Sequence, residues 1–78
     1  MSDILAKLEE QIAEITENSK IKISLSSLFD KDLGMDDLDY IELCIECEKQ
    51  FGIEITDYQA LKLHTVADLV TYIVTHQS

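Results

Sequence analysis

Leu33-Gly34-Met35-Asp36-Asp37-Leu38-Asp39-Tyr40-Ile41-Glu42-Leu43-Cys44-Ile45-Glu46-Cys47-Glu48-Lys49-Gln50-Phe51 decides how this chain folds, because it reads as a helix with two apolar faces behind an acidic first turn. At about 100° per residue, Tyr40, Leu43, Cys44, Cys47 and Phe51 fall on one side, which is wide enough for a core stripe. Leu38, Ile41 and Ile45 fall on the opposite side. A small domain buries one face of a helix against its own core. A second apolar stripe, set among Asp37, Glu42 and Glu48, therefore points to a partner protein. Asp36 or Asp37 can cap the helix, the helix dipole favours acids in its first turn, and Gly52 ends it.

Working outward, Ser2 or Asp3 can cap a first helix that runs to about Thr16, with Leu5, Leu8, Ile12 and Ile15 on one buried face and Lys7, Glu9, Glu10 and Glu14 on the wet side. Between Glu17 and Asp36 the periodicity disappears, and Asn18, several serines and Gly34 supply turn chemistry. A connection of about twenty residues is long for a compact domain. Ile21, Ile23, Leu25, Leu28, Phe29 and Leu33 are expected to pin it to the core.

After Ile53 and Ile55, Thr56 or Asp57 starts a short helix whose Ala60, Leu61 and Leu63 face inward. Thr65 with Asp68 forms a capping-box-like start for a last helix, carried by Val66, Leu69, Val70, Ile73 and Val74. His76-Gln77-Ser78 is expected to fray. No strand pattern, repeat or linker is present. The expected architecture is all-α: one domain, residues 1–78, of four helices with a long first loop and a short third helix.

Sixteen acidic against six basic residues give a formal net charge of −10. Nucleic acid and anionic membrane are therefore poor partners, since phosphate groups call for clustered Lys and Arg, whereas basic protein surfaces are good ones. A hydrophobic fraction of 46% supplies the apolar surface that a disordered acidic chain would lack. No apolar run reaches the length of a membrane span, and the N-terminus has neither a basic n-region nor an arginine-rich transit pattern, so a cytoplasmic monomer is expected.

Two motifs invite chemistry that their surroundings deny. Asp30-Lys31-Asp32-Leu33-Gly34-Met35-Asp36 begins like a calcium loop, but Met35 and Ile41 occupy the places that need glycine and glutamate, so no metal site is expected. Cys44-Ile45-Glu46-Cys47 is a C-x-x-C that lies mid-helix on the core stripe, away from the helix start that lowers thiol pKa values. His64 and His76 lie too far along the chain to complete a zinc set. Buried, inert thiols are expected, and a thiol redox protein is the weakest functional reading.

Leu33-Gly34-Met35-Asp36-Asp37-Leu38-Asp39, then Ile41-Glu42-Leu43 and Glu48-Lys49-Gln50-Phe51-Gly52-Ile53-Glu54-Ile55, resemble the acyl carrier protein family, whose pattern runs roughly LGxDSLDxVEL and then EEFGIxI. Thr65-Val66-Ala67-Asp68 and Tyr72-Ile73 match the family's last helix. The resemblance implies a carrier rather than an enzyme, serving fatty acid, polyketide or related thioester biosynthesis. It also implies a recognition helix for basic patches on partner enzymes, onto which Asp36, Leu38, Asp39, Ile41, Glu42, Ile45 and Glu48 map. Lys49 departs from the acid often found there. Ile55, Ala60, Leu63 and Tyr72 match positions that line the acyl-chain cavity in the family, and on periodicity alone they are core.

Where the family carries the serine that bears 4'-phosphopantetheine, this chain has Asp37. A carboxylate forms no stable phosphodiester, so no such cofactor is expected on this chain. Aspartate caps a helix about as well as serine, and it fits either a natural unmodified relative or a substitution that blocks modification. Its charge could also stand in for the arm's phosphate at a partner surface. The alternative function is a regulatory or structural subunit that binds a basic partner without any acyl cycle.

Overall fold

One face of the central helix turns inward and the other stays in solvent, and the rest of the molecule closes on the inward face. The computed structural model describes the backbone of residues 2–77 and the side chains of residues 3–77. Its elements in chain order are α1 (Ser2–Thr16), α2 (Asp37–Phe51), α3 (Asp57–Ala60) and α4 (Val66–His76). The architecture is all-α. Among the described residues the β structure is one isolated antiparallel bridge, Leu28 to Thr65. Leu8 and Ile12 of α1, Leu43 and Cys47 of α2, and Val66, Leu69, Val70 and Ile73 of α4 form the fully buried centre of the core.

Both long C-terminal helices start on reciprocal caps. Asp36, not Asp37, is the N-cap of α2: the Asp39 N–H donates to Asp36 Oδ1 at 2.8 Å, and the Asp36 N–H donates to Asp39 Oδ2 at 3.4 Å. At the other end Gly52 takes the left-handed conformation, φ 66°, and its N–H closes on the Glu48 carbonyl. In α4 the Asp68 N–H donates to Thr65 Oγ1 at 3.1 Å, while Asp68 Oδ2 accepts the N–H groups of His64 and Thr65 at 3.0 and 3.1 Å.

The connection from α1 to α2 is held down by backbone hydrogen bonds as well as by side chains. The first N–H groups of α4 have no partner inside their own helix. Val66 N–H donates to the Ser27 carbonyl at 3.0 Å and Ala67 N–H to the Leu25 carbonyl at 2.8 Å, so the loop completes the helix start. Phe29, Leu33 and Met35 are buried, while Ile21 and Ile23 pack against the core from its edge. The radius of gyration is 11.2 Å, close to the roughly 11.5 Å of a folded chain of this length, which a loose loop would exceed.

Several side chains depart from the periodic reading. Leu25 is exposed, because its backbone rather than its side chain is what α4 uses. Glu9 does not stay on the wet side: half-buried, it accepts the Ile23 N–H at 3.2 Å. Leu61 is 75% exposed, since α3 lasts one turn and Leu61 falls on its C-cap rather than on an inward face. Val74 is exposed, and Tyr72 takes the buried place instead.

The ends differ too. α1 already contains Ser2 and Asp3, so the position before it is residue 1, outside the described residues. Its far end turns at Glu17, which takes φ 56°, one residue ahead of Asn18. His76 is the last residue of α4, stacked on the Tyr72 ring with centroids 3.9 Å apart. Of the stretch expected to fray, His76 is helical, Gln77 is the C-cap of α4, and Ser78 lies outside the described residues.

Candidate functional site

The outward face of α2 begins at Asp37, the first residue after the cap, whose side chain is exposed. Behind it Leu38, Ile41 and Ile45 are 76%, 54% and 44% exposed. Three aliphatic side chains at this spacing and exposure make one continuous apolar stripe down the helix. Glu42 stands exposed beside it, and Glu46 is half-buried at its margin. The inward stripe is as the spacing requires, with Leu43, Cys44, Cys47 and Phe51 buried.

Not all the acids on this helix are equally free. Asp36 and Asp39 are committed to the capping box. Glu48 is half-buried, and its Oε2 accepts the Ile55 N–H at 2.8 Å, which ties the end of α2 to the segment that follows. Among the described residues Asp37, Glu42 and Glu46 make no side-chain hydrogen bond, so their carboxylates are not committed to the fold.

A cleft of about 210 Å³ opens beside Asp37, lined by Phe29, Met35, Asp36, Tyr40, Ala60, Leu61 and Leu63 among others. That is below the roughly 300–1,000 Å³ of small-molecule pockets. Of the four cavity positions, Ala60 and Leu63 line it, whereas Ile55 and Tyr72 are buried in the core away from it. Tyr40 shapes its floor: the phenol reaches the carbonyls of Ala60 and Leu63 at 2.9 and 3.0 Å, and its ring lies 5.2 Å from that of Phe29. Burial, reinforced by neighbouring Cys44, pushes the Tyr40 hydroxyl well above its ordinary pKa, so it stays protonated as the donor.

The thiols and the loop serines offer no nucleophile here. Cys44 and Cys47 are free and buried. Burial raises both, and Cys47 reaches about 12 with Cys44, Glu46 and Glu48 adding to the effect. A redox pair needs the opposite shift and an accessible sulfur. Ser24, Ser26 and Ser27 hydrogen-bond one another, with Ser24 Oγ 3.2 Å from Ser26 Oγ and 3.1 Å from Ser27 Oγ, and Ser27 is buried. Among the described residues no His, Cys, Asp or Glu set can hold a metal ion, and no helix is long and apolar enough to cross a membrane.

Leu61, expected to face inward, is exposed at the cleft beside Asp37, and Tyr58, also exposed, escaped the sequence reading. Lys62 lies over the Tyr58 ring, 4.2 Å from its centroid. The one-turn length of α3 was the signal, because a single turn cannot turn every apolar residue inward.

Comparison with known proteins bears on the same stretch. The family model described as phosphopantetheine attachment site matches residues 6–73. An acyl carrier protein of Rickettsia bellii (strain RML369-C) is 37% identical over 75 residues, covering 91% of this chain and 87% of that protein. The solved solution structure of the apo doublet acyl carrier protein from prodigiosin biosynthesis matches with a TM-score of 0.77 at 22% identity, over 97% of this chain and 37% of that one. That likeness shows the fold.

Proposed function

Because the chain belongs to the acyl carrier protein family, whose members are carriers and not enzymes and work with biosynthetic enzymes, we propose that it is a carrier-like docking domain that does not itself become phosphopantetheinylated. The family carries 4'-phosphopantetheine, and the residues present here do not fit that group. Asp37 offers a carboxylate at the attachment position, and the loop serines are turned toward one another. Residues 1–78 act on this reading as one domain, a monomer in the cytoplasm, on enzymes of fatty acid, polyketide or related thioester biosynthesis. Neither nucleic acid nor membrane is a partner.

The observation that carries the reading is the exposed stripe Leu38, Ile41 and Ile45, fringed by free acids and starting one residue after Asp37. Apolar residues exclude water at a contact, while the surrounding charges select a basic partner and speed the encounter. Asp36, Asp39 and Glu48 support the surface mainly by fixing the helix ends, and Asp37, Glu42, Leu38, Ile41 and Ile45 make the contact.

The test uses intact-mass spectrometry after incubation with a promiscuous phosphopantetheinyl transferase and coenzyme A. The unaltered chain gains no mass, and Asp37→Ser gains the arm. Ile45→Lys or Glu42→Lys added to Asp37→Ser abolishes the gain without lowering the melting temperature. An arm on the unaltered chain, or an unmodified Asp37→Ser, refutes the reading.

A further inference from the structure

A chain that keeps the docking face but has lost the attachment hydroxyl can occupy a carrier's place without delivering cargo. We propose that this protein is a competitive decoy: it binds, through Leu38, Ile41, Ile45 and Glu42, the basic patch with which an enzyme grips serine-bearing carriers, and Asp37 meets the cation that would otherwise hold the carrier's phosphate. The inference rests on the docking reading above and adds a regulatory activity to it.

Charge and geometry both support the carboxylate's part. A phosphodiester joining a serine to its arm carries one negative charge, and so does the Asp37 carboxylate. The carboxylate stands exposed at the first position of α2, unspent on the helix cap because Asp36 and Asp39 satisfy each other. The cap therefore does not need Asp37, and the charge is free for a partner. The partner's chemistry follows from complementarity: a chain with net charge −10 and an acid-fringed apolar stripe fits a cationic surface with an apolar centre.

Competition also follows from what the cleft beside Asp37 does not do. At about 210 Å³, with Tyr40 stapled across its floor to Ala60 and Leu63, it is a shallow notch at the edge of the docking face. Its volume lies below that of ordinary small-molecule pockets, so the decoy reading gives it no cargo to hold.

The experiment measures the rate at which an acyl-transfer enzyme charges a phosphopantetheine-bearing acyl carrier protein held below its KM, with and without this protein. With comparable affinities and this protein at ten times its dissociation constant, the rate falls about tenfold. Ile45→Lys restores it. Asp37→Asn, which keeps shape and removes charge, weakens inhibition about two- to fivefold, the worth of one exposed charge contact. Thermal unfolding confirms that both variants fold.

Loss of less than half the rate overturns the decoy. If Asp37→Ser is nevertheless loaded by a phosphopantetheinyl transferase, the docking reading survives and the decoy alone fails; if it is not loaded, both fail. Equal inhibition by Asp37→Asn refutes the carboxylate's role, and equal inhibition by Ile45→Lys refutes the stripe's.

Discussion

Tyr40→Phe removes one oxygen and leaves the ring against Phe29 in place, which makes it the cleanest probe of how the docking face is held. The hydroxyl joins α2 to two carbonyls, those of Ala60 and Leu63, at 2.9 and 3.0 Å. A net hydrogen bond is worth about 0.5–1.5 kcal/mol, and stranding a buried acceptor costs about 1–3 kcal/mol. Ala60 and Leu63 are only half-buried, and the Ala60 carbonyl keeps the Leu63 N–H at 3.2 Å, so water and that bond take up part of the loss. A destabilisation of about 1–2 kcal/mol is expected. With an unfolding entropy of about 2.1 cal/mol/K per residue, a chain of 78 residues loses roughly 6–12 °C in Tm.

Circular dichroism measures the melting, and hydrogen exchange locates the loss, which should appear first at amides 57–63 because the hydroxyl anchors that segment and no other. Tyr72→Phe is the control. It removes the 2.6 Å bond to the Glu54 carbonyl and should loosen the segment before α3 instead. A Tm drop under about 2 °C for Tyr40→Phe, with unchanged exchange at 57–63, would refute the staple.

Burial keeps the Cys47 thiol neutral and raises it from 9.0 to about 12. The folded value lies above the unfolded one, so the stabilisation is whole below pH 9 and is lost as pH climbs toward 12; urea midpoints should fall across that window, less steeply for Cys47→Ala. Backbone N–H bonds from His64 and Thr65 hold the Asp68 carboxylate below its ordinary 3.8, so its contribution is present above that pH and disappears as pH falls through the lowered value; acid titration of Asp68→Ala should lack this step. Glu17→Gly should raise stability by about 1 kcal/mol in urea denaturation, since a residue with a Cβ pays roughly 1–2 kcal/mol in the left-handed region that Glu17 occupies. Added salt should raise Tm by screening a net charge of −10, and magnesium at matched ionic strength should raise it further; indifference to both would show the acids already compensated.

The sequence by itself determined the helices, their order and the two faces of α2. Those features rest on local periods and caps: Leu43, Cys44, Cys47 and Phe51 repeat on the inward stripe, Leu38, Ile41 and Ile45 on the outward one, and Thr65 with Asp68 marks the start of α4. It also determined the chemistry at position 37, because a carboxylate is not a hydroxyl in any fold. The tertiary structure decided which acids are free, how the loop runs and where the cleft closes. Glu48 reaches Ile55 across 7 residues, Tyr40 reaches Ala60 and Leu63 across 20 and 23, and the carbonyls of Leu25 and Ser27 meet the start of α4. Such pairings leave no period in the chain, since each is a hydrogen bond between groups that become neighbours only after the core has brought their helices together.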